Sequence, residues 1–160
     1  MRAIQSRWFG LVIALGTAVP PATSAQVTPI AEQIKGAVLP LPESQRAGAT
    51  VMGYRTAGEL TVIREGSGAM ICLADAPGND TYHVACYHRS LEPMMSFGRA
   101  LTARGIADPR SDSIRAAAAE DGSLSMPDTP AAFHSLTGPV ALWNPTAGTF
   151  EGASRLHTIY

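Results

Sequence analysis

Hydrophobic residues between positions 30 and 38 recur at the spacing of a helix. A short helix is predicted there, with Thr28 as its N-cap and Pro29 at its first helical position. Its apolar face is formed by residues at i, i+4, i+7 and i+8: Ile30, Ile34, Ala37 and Val38. Pro40 and Pro42 end this helix because proline has no amide hydrogen to donate. Residues 43–49 are predicted to form a loop.

The next stretch has the β-branched and continuous apolar runs that are typical of strands. Four strands are predicted, at residues 50–55, 60–64, 69–74 and 82–88. Glu65-Gly66-Ser67-Gly68 and Pro77-Gly78-Asn79-Asp80 supply turn residues between them. Because the links are short, we expect the four strands to form an antiparallel meander.

Two helices are predicted after the fourth strand. Ser90 is expected to cap the first, which ends at Gly105 in a left-handed C-cap. The second is expected to begin at Asp108-Pro109 and to end at Gly122. Further short strands are predicted at residues 124–126, 131–136, 140–143 and 155–160. The predicted fold class is α+β, an antiparallel β-meander with two short-to-medium helices packed on one face.

The first 25 residues have the three-part layout of a secretory signal peptide. Two arginines precede an apolar run from Trp8 to Val19, and small residues follow at positions 22–25. This run is shorter than the roughly 20 residues that a transmembrane helix needs. We therefore predict cleavage after Ala25, a secreted or periplasmic location, and no transmembrane anchor in the mature chain. The alternative is a buried N-terminal helix.

The composition and net charge limit the classes of partner that we expect, and they do not identify a ligand. The sequence has 160 residues, with 12 Lys and Arg against 13 Asp and Glu and a formal net charge of -1. This balance gives no electrostatic reason to expect a nucleic-acid partner, and the partner is left unknown. Residues 26–160 are predicted to form a single domain. The final stretch to Tyr160 has a strand pattern without a polar tail. A strand can end a complete domain, and the alternative is a domain that is truncated at its C-terminus.

The densest group of chemically reactive side chains comprises two cysteines and two histidines: Cys72, His83, Cys86 and His88. In an exported protein, two cysteines on neighbouring strands favour a disulfide, and the 13 residues between them allow both strands and the turn. The alternatives are a transition-metal or haem site that uses these four residues, or two free buried thiols. Because side chains alternate along a strand, Cys86 and His88 share one face and His83 lies on the other. At most three of the four can converge without a bulge.

Residues 70–99 resemble hypothetical secreted bacterial proteins of unknown function. The resemblance rests on Cys-Leu-Ala-Asp, His-Val-Ala-Cys-Tyr-His and Leu-Glu-Pro-Met-Met, and it covers about thirty residues. It implies no activity.

Recognisable catalytic and metal-binding motifs are absent from the sequence. It contains no Cys-x-x-Cys, no His-Glu-x-x-His and no Gly-x-Ser-x-Gly, and His134 and His157 can meet an acid and a serine only through the fold. The leading prediction is therefore an exported, non-catalytic binding or structural domain with one disulfide and no cofactor. The alternatives are a periplasmic metal- or haem-associated protein that uses the Cys and His groups, and a hydrolase with a dispersed site. The catalytic residues of such a hydrolase are unknown.

Overall fold

The structure is a computed structural model that describes residues 26–160, and the predicted signal peptide lies outside these residues. The helices are α1 (Ile30–Ala37), α2 (Glu43–Arg46), α3 (Glu92–Ala103) and α4 (Arg110–Glu120). The strands are β1 (Thr50–Thr56), β2 (Glu59–Arg64), β3 (Met70–Leu73), β4 (Thr81–His88), β5 (Ala132–Pro139), β6 (Trp143–Asn144), β7 (Thr149–Phe150) and β8 (Ser154–Ile159). Single 3-10 turns cover Arg89–Leu91 and Val140–Leu142.

A six-stranded, mostly antiparallel sheet with helices on it confirms the predicted α+β class. Its strand order is β2-β1-β3-β4-β5-β8, and β6 pairs separately with β7. The order departs from the predicted meander at one point, since β3 pairs with β1 in parallel instead of forming a hairpin with β2. Strand β2 is partly exposed along its length and lies at the edge of the sheet, while β3 is buried in the centre of the sheet.

The segment predicted as a hairpin turn between β2 and β3 crosses the start of β1. The amide of Gly68 donates to the carbonyl oxygen of Gly48 at 2.7 Å. A Cβ on Gly66 would collide with the backbone of residues 48–50, so only glycine allows the two chains to approach this closely. The glycine pattern therefore marks a crossover, which sequence alone does not distinguish from a turn.

The sheet lies between two covering layers. On one face, α1 and the segment that follows it pack over the central strands, in a cluster that includes Ala37, Leu41, Val51 and both cysteines. An aromatic group that includes Tyr82 and Phe150 continues this layer. On the opposite face, α3 and the end of α4 cover another buried cluster: Ile71, Tyr87, Leu91, Met94 and Leu124. Two helices pack on one face as predicted, and α1 covers the other.

Several local predictions hold and others need correction. Gly105 has φ +75°, and the amide of Ile106 donates to Leu101 at 3.0 Å, which confirms the left-handed end of α3. The three predicted caps are wrong, because each helix begins later than expected. Pro29 and Pro109 occupy the N-cap positions of α1 and α4. Ser90 lies within the 3-10 turn Arg89–Leu91, and Leu91 is the N-cap of α3.

Three loop and strand predictions also change. The strand predicted at residues 140–143 is wrong, because Val140–Leu142 form a 3-10 turn and only Trp143 lies in a strand. Residues 43–49 include the single turn α2. Residues 124–126 form no strand, because the amide of Leu124 donates to the carbonyl oxygen of Ala118 and closes the end of α4. Within residues 26–160, none of the helices is both long enough and apolar enough to cross a membrane.

Candidate functional site

The two cysteines form a disulfide across the middle of the sheet. Cys72 on β3 lies directly opposite Cys86 on β4, with a Cα–Cα distance of 4.0 Å, and their sulfurs are bonded. Both residues are 0% exposed. The Sγ atom of Cys86 lies 3.1 Å from the carbonyl oxygen of Ala37, so α1 covers the bond. The predicted disulfide is confirmed, and it belongs to the core.

The alternative metal set of two cysteines and two histidines is not brought together. Both sulfurs are used in the disulfide and cannot act as thiolate ligands. The ring of His88 hydrogen bonds to Ser90 Oγ at 2.8 Å, whereas His83 lies on the other face and contacts Thr137 Oγ1 at 2.7 Å. No group of three or more His, Cys, Asp or Glu side chains in residues 26–160 is placed to hold a metal ion. The predicted faces of β4 are correct, whereas the hydrogen-bond partners of His83 and His88 could not be predicted from the sequence.

The His83–Thr137 pair is the nearest approach to a nucleophile and base among the described residues. Catalysis of that kind needs an acid that orients the imidazole ring. The carboxylate of Asp75 accepts a hydrogen bond at 2.7 Å from the backbone amide of His83, and not from its imidazole ring. Asp75 therefore continues the hydrogen bonding of the sheet beyond β3 and does not orient the ring. Desolvation lowers the pKa of His83. Burial raises the pKa of Asp75 despite hydrogen bonds from the His83 and Ala76 amides. The pair is accounted for as a cross-strand polar contact.

His134 and His157 meet each other and not a serine and an acid. They are opposite residues of β5 and β8, and their Nδ1 atoms are 2.5 Å apart. Desolvation and the neighbouring His157 lower the pKa of His134. Neither the described hydrogen bonds of His83 nor those of this pair assemble the dispersed hydrolase site.

A cavity of about 580 Å³ opens between α3, the start of α4 and the β1–β2 hairpin. It forms because the two helices lie over the central strands and leave the end of the β1–β2 hairpin uncovered. Gly98 on α3 makes room for the side chain from α4, since a Cβ there would lie 3.3 Å from Arg115 Nη1. The walls carry six residues of particular interest: Tyr54, Leu60, Met95, Arg99, Ser111 and Arg115.

A hydrogen-bonded group of three side chains fixes one wall of the cavity. Arg99 Nη2 donates to Glu92 Oε1 at 2.5 Å, Arg99 Nη1 donates to Tyr87 Oη at 2.9 Å, and Tyr87 Oη donates to Glu92 Oε2 at 2.5 Å. Burial, together with the hydrogen bond to Glu92, raises the pKa of Tyr87 far above its usual range. Each charge has a partner, so Arg99 is held in one orientation at the cavity.

Comparison of the chain with protein-family models, with curated proteins and with solved structures finds no match in any of the three. A functional interpretation therefore depends on the residues and geometry of this chain.

Proposed function

We propose that the protein is an exported, non-catalytic binding domain whose ligand occupies the cavity between α3, α4 and the β1–β2 hairpin. The observation that carries this proposal is the cavity itself, an open cleft of about 580 Å³. Pockets that bind small molecules typically measure about 300–1,000 Å³. The site therefore has the size for one small molecule.

The walls favour a mainly apolar ligand. Tyr54 and Leu60 project from the hairpin, Met95 projects from α3, and alanines at positions 100 and 103 add further apolar surface. These side chains exclude water from a ligand, and burial of its apolar surface contributes about 25 cal/mol per Å² to the free energy of binding. The Tyr54 hydroxyl, whose pKa is raised by burial and by Asp75, remains protonated and able to donate a hydrogen bond.

The polar groups at the cavity favour an uncharged ligand with a hydrogen-bonding group. Arg99 is paired with Glu92, and Arg115 is paired with Asp112. The carboxylate of Asp108 also lines the cavity, so the arginines give no net positive charge there. The guanidinium groups consequently offer oriented hydrogen-bond donors and do not constitute an anion site.

Export is supported by two features that are independent of the cavity. The N-terminal 25 residues follow the layout of a signal peptide. The Cys72–Cys86 bond is typical of oxidising compartments outside the cytosol, where disulfides persist. Since the bond lies in the core, and not at the cavity, we assign it a role in stability.

Binding can be tested with N-phenyl-1-naphthylamine, an uncharged aromatic fluorophore. We expect saturable fluorescence enhancement with one probe per chain when the oxidised mature protein is titrated. Ala103→Phe should weaken probe binding about tenfold or more, because the new ring displaces apolar contacts worth roughly two methylene groups.

Ala117→Phe is the matched control, because Ala117 is equally a surface alanine, on α4, and does not line the cavity. It should bind the probe as the wild type does, and both variants should melt cooperatively. Absence of saturable binding to the wild type would contradict the proposal, as would an equal loss in the two variants.

A further inference from the structure

A pair of histidines faces solvent at the edge of the sheet, away from the cavity. His134 and His157 are register partners on β5 and β8, their ring centroids are 4.8 Å apart, and their Nδ1 atoms are 2.5 Å apart. Hydrogen bonding to β4 on one side and β8 on the other fixes the backbone of β5. The chain thus presents two imidazole nitrogens at a defined separation from neighbouring strands.

The surface around this pair is open to solvent. The packing of α1 is against β1, β2 and β4, so it covers the opposite half of the same sheet face. His134 is half-buried and His157 is exposed, as is Arg155 two residues before it on β8. Water can therefore reach the two rings and supply further ligands to an ion held between them.

The ligand type and the affinity series of the divalent metals favour one ion at this pair. Metal–imidazole bonds of about 2.0–2.1 Å place two nitrogens about 3.3 Å apart in a tetrahedral site and about 2.9 Å apart at a right angle. The observed 2.5 Å is a hydrogen-bond contact, shorter than either separation, so the exposed ring of His157 has to rotate outward before an ion fits between the two nitrogens. Square-planar and tetragonal nitrogen sites are those of Cu²⁺ and Ni²⁺, and Cu²⁺ binds most tightly in the divalent series.

We propose that His134 and His157 chelate a Cu²⁺ ion through their Nδ1 atoms, with water in the remaining equatorial positions. This site is distinct from the four-residue set that the disulfide removes, and it does not depend on the proposed cavity function. It requires no reduced thiol.

Copper binding can be measured by calorimetric titration of the untagged mature protein with Cu²⁺ in a buffer that does not coordinate copper. We expect one saturable copper site per chain, with weaker binding of Zn²⁺. His134→Gln and His157→Gln should each weaken copper binding at least about tenfold, because loss of a ligand costs no less than loss of its supporting hydrogen bond. His88→Gln is the matched control, since His88 is half-buried on the neighbouring strand and bonds to Ser90.

Electron paramagnetic resonance distinguishes chelation from a purely structural role of the two rings. Bound Cu²⁺ should give a tetragonal spectrum with hyperfine splitting from two nitrogens, and His134→Gln/His157→Gln should lose that signal while its melting midpoint stays close to that of the wild type. The proposal is overturned if the double variant keeps the wild-type copper affinity and spectrum. It is also overturned if His88→Gln reduces binding as strongly as the two proposed ligand variants.

Discussion

Replacement of both cysteines by alanine should remove a large fraction of the protein's stability. The bond joins residues separated by 14 positions, and it connects β3 to β4 at the centre of the sheet. In the chain-entropy model, closing a loop of about 15 residues contributes about 3 kcal/mol by restricting the unfolded chain. Disulfides of exported proteins commonly contribute at this level.

The double variant should lose more than the entropic term alone. Both cysteines are fully buried beneath α1, so alanine leaves the volume of two sulfur atoms unfilled in the core. A void of that size costs about 1 kcal/mol. We therefore expect Cys72→Ala/Cys86→Ala to be about 4 kcal/mol less stable than the oxidised wild type, a large part of the 5–15 kcal/mol typical of a folded domain.

Urea denaturation of three samples separates the two contributions. The oxidised wild type gives the reference, the wild type unfolded in reductant loses only the cross-link, and the double variant loses the cross-link and the sulfur volume. Without the bond the unfolded chain expands, so the m-value should rise in both comparisons. A loss below about 1 kcal/mol in the double variant would refute this reasoning, as would an unchanged m-value, because the bond would then not restrain the unfolded state.

Three further outcomes are expected. Gly105→Ala should lower the free energy of unfolding by about 1 kcal/mol because Gly105, just beyond α3, has φ +75°. Gly98→Ala inside α3 should not, because its methyl group comes close only to the side chain of Arg115, whose guanidinium end can move; thermal melts of the two variants provide the comparison. Asp75→Asn should stabilise the protein at pH 7, where the half-buried carboxylate is charged, because the amide oxygen can still accept from the His83 amide. This gain should vanish near pH 3, where the carboxyl is protonated in both states, and an equal gain at the two pH values would contradict the assignment. His83 and His134 have lowered pKa values in the folded state, so the unfolded state binds protons first as the pH falls. The free energy of unfolding should therefore decrease as the pH drops below about 6.5. Urea denaturation of His83→Gln/His134→Gln at several pH values should show a smaller decrease.

Elements with strong local signals could be predicted from the sequence. The helical spacing of Ile30 and Ile34 gave α1, and Gly105 gave the end of α3, because each depends on a few neighbouring residues. The parallel pairing of β1 with β3 could not be predicted, since it depends on which strands bury both faces. Gly66 and Gly68 look the same in a hairpin turn as in the crossover that they actually form.

The candidate sites divide in the same way. Two cysteines on strands joined by a Pro-Gly turn were sufficient to predict the disulfide. The cavity depends on where α3 and α4 lie over the sheet, which no single segment encodes. Its wall carries one sequence signal that the prediction missed, the seven-residue spacing of Glu92 and Arg99, which places both on one face of α3. The pairing of His134 with His157 depends on the register of β5 and β8.

We propose that the chain is exported and that its disulfide forms in an oxidising compartment. The most direct test is the intact mass of the protein recovered from the extracellular or periplasmic fraction after alkylation without reduction. We expect a chain that begins at Gln26, carries no alkyl group, and is two hydrogens lighter than its reduced form. A product that carries alkyl groups on Cys72 and Cys86, or one that retains Trp8 in the cytoplasmic fraction, would contradict the account.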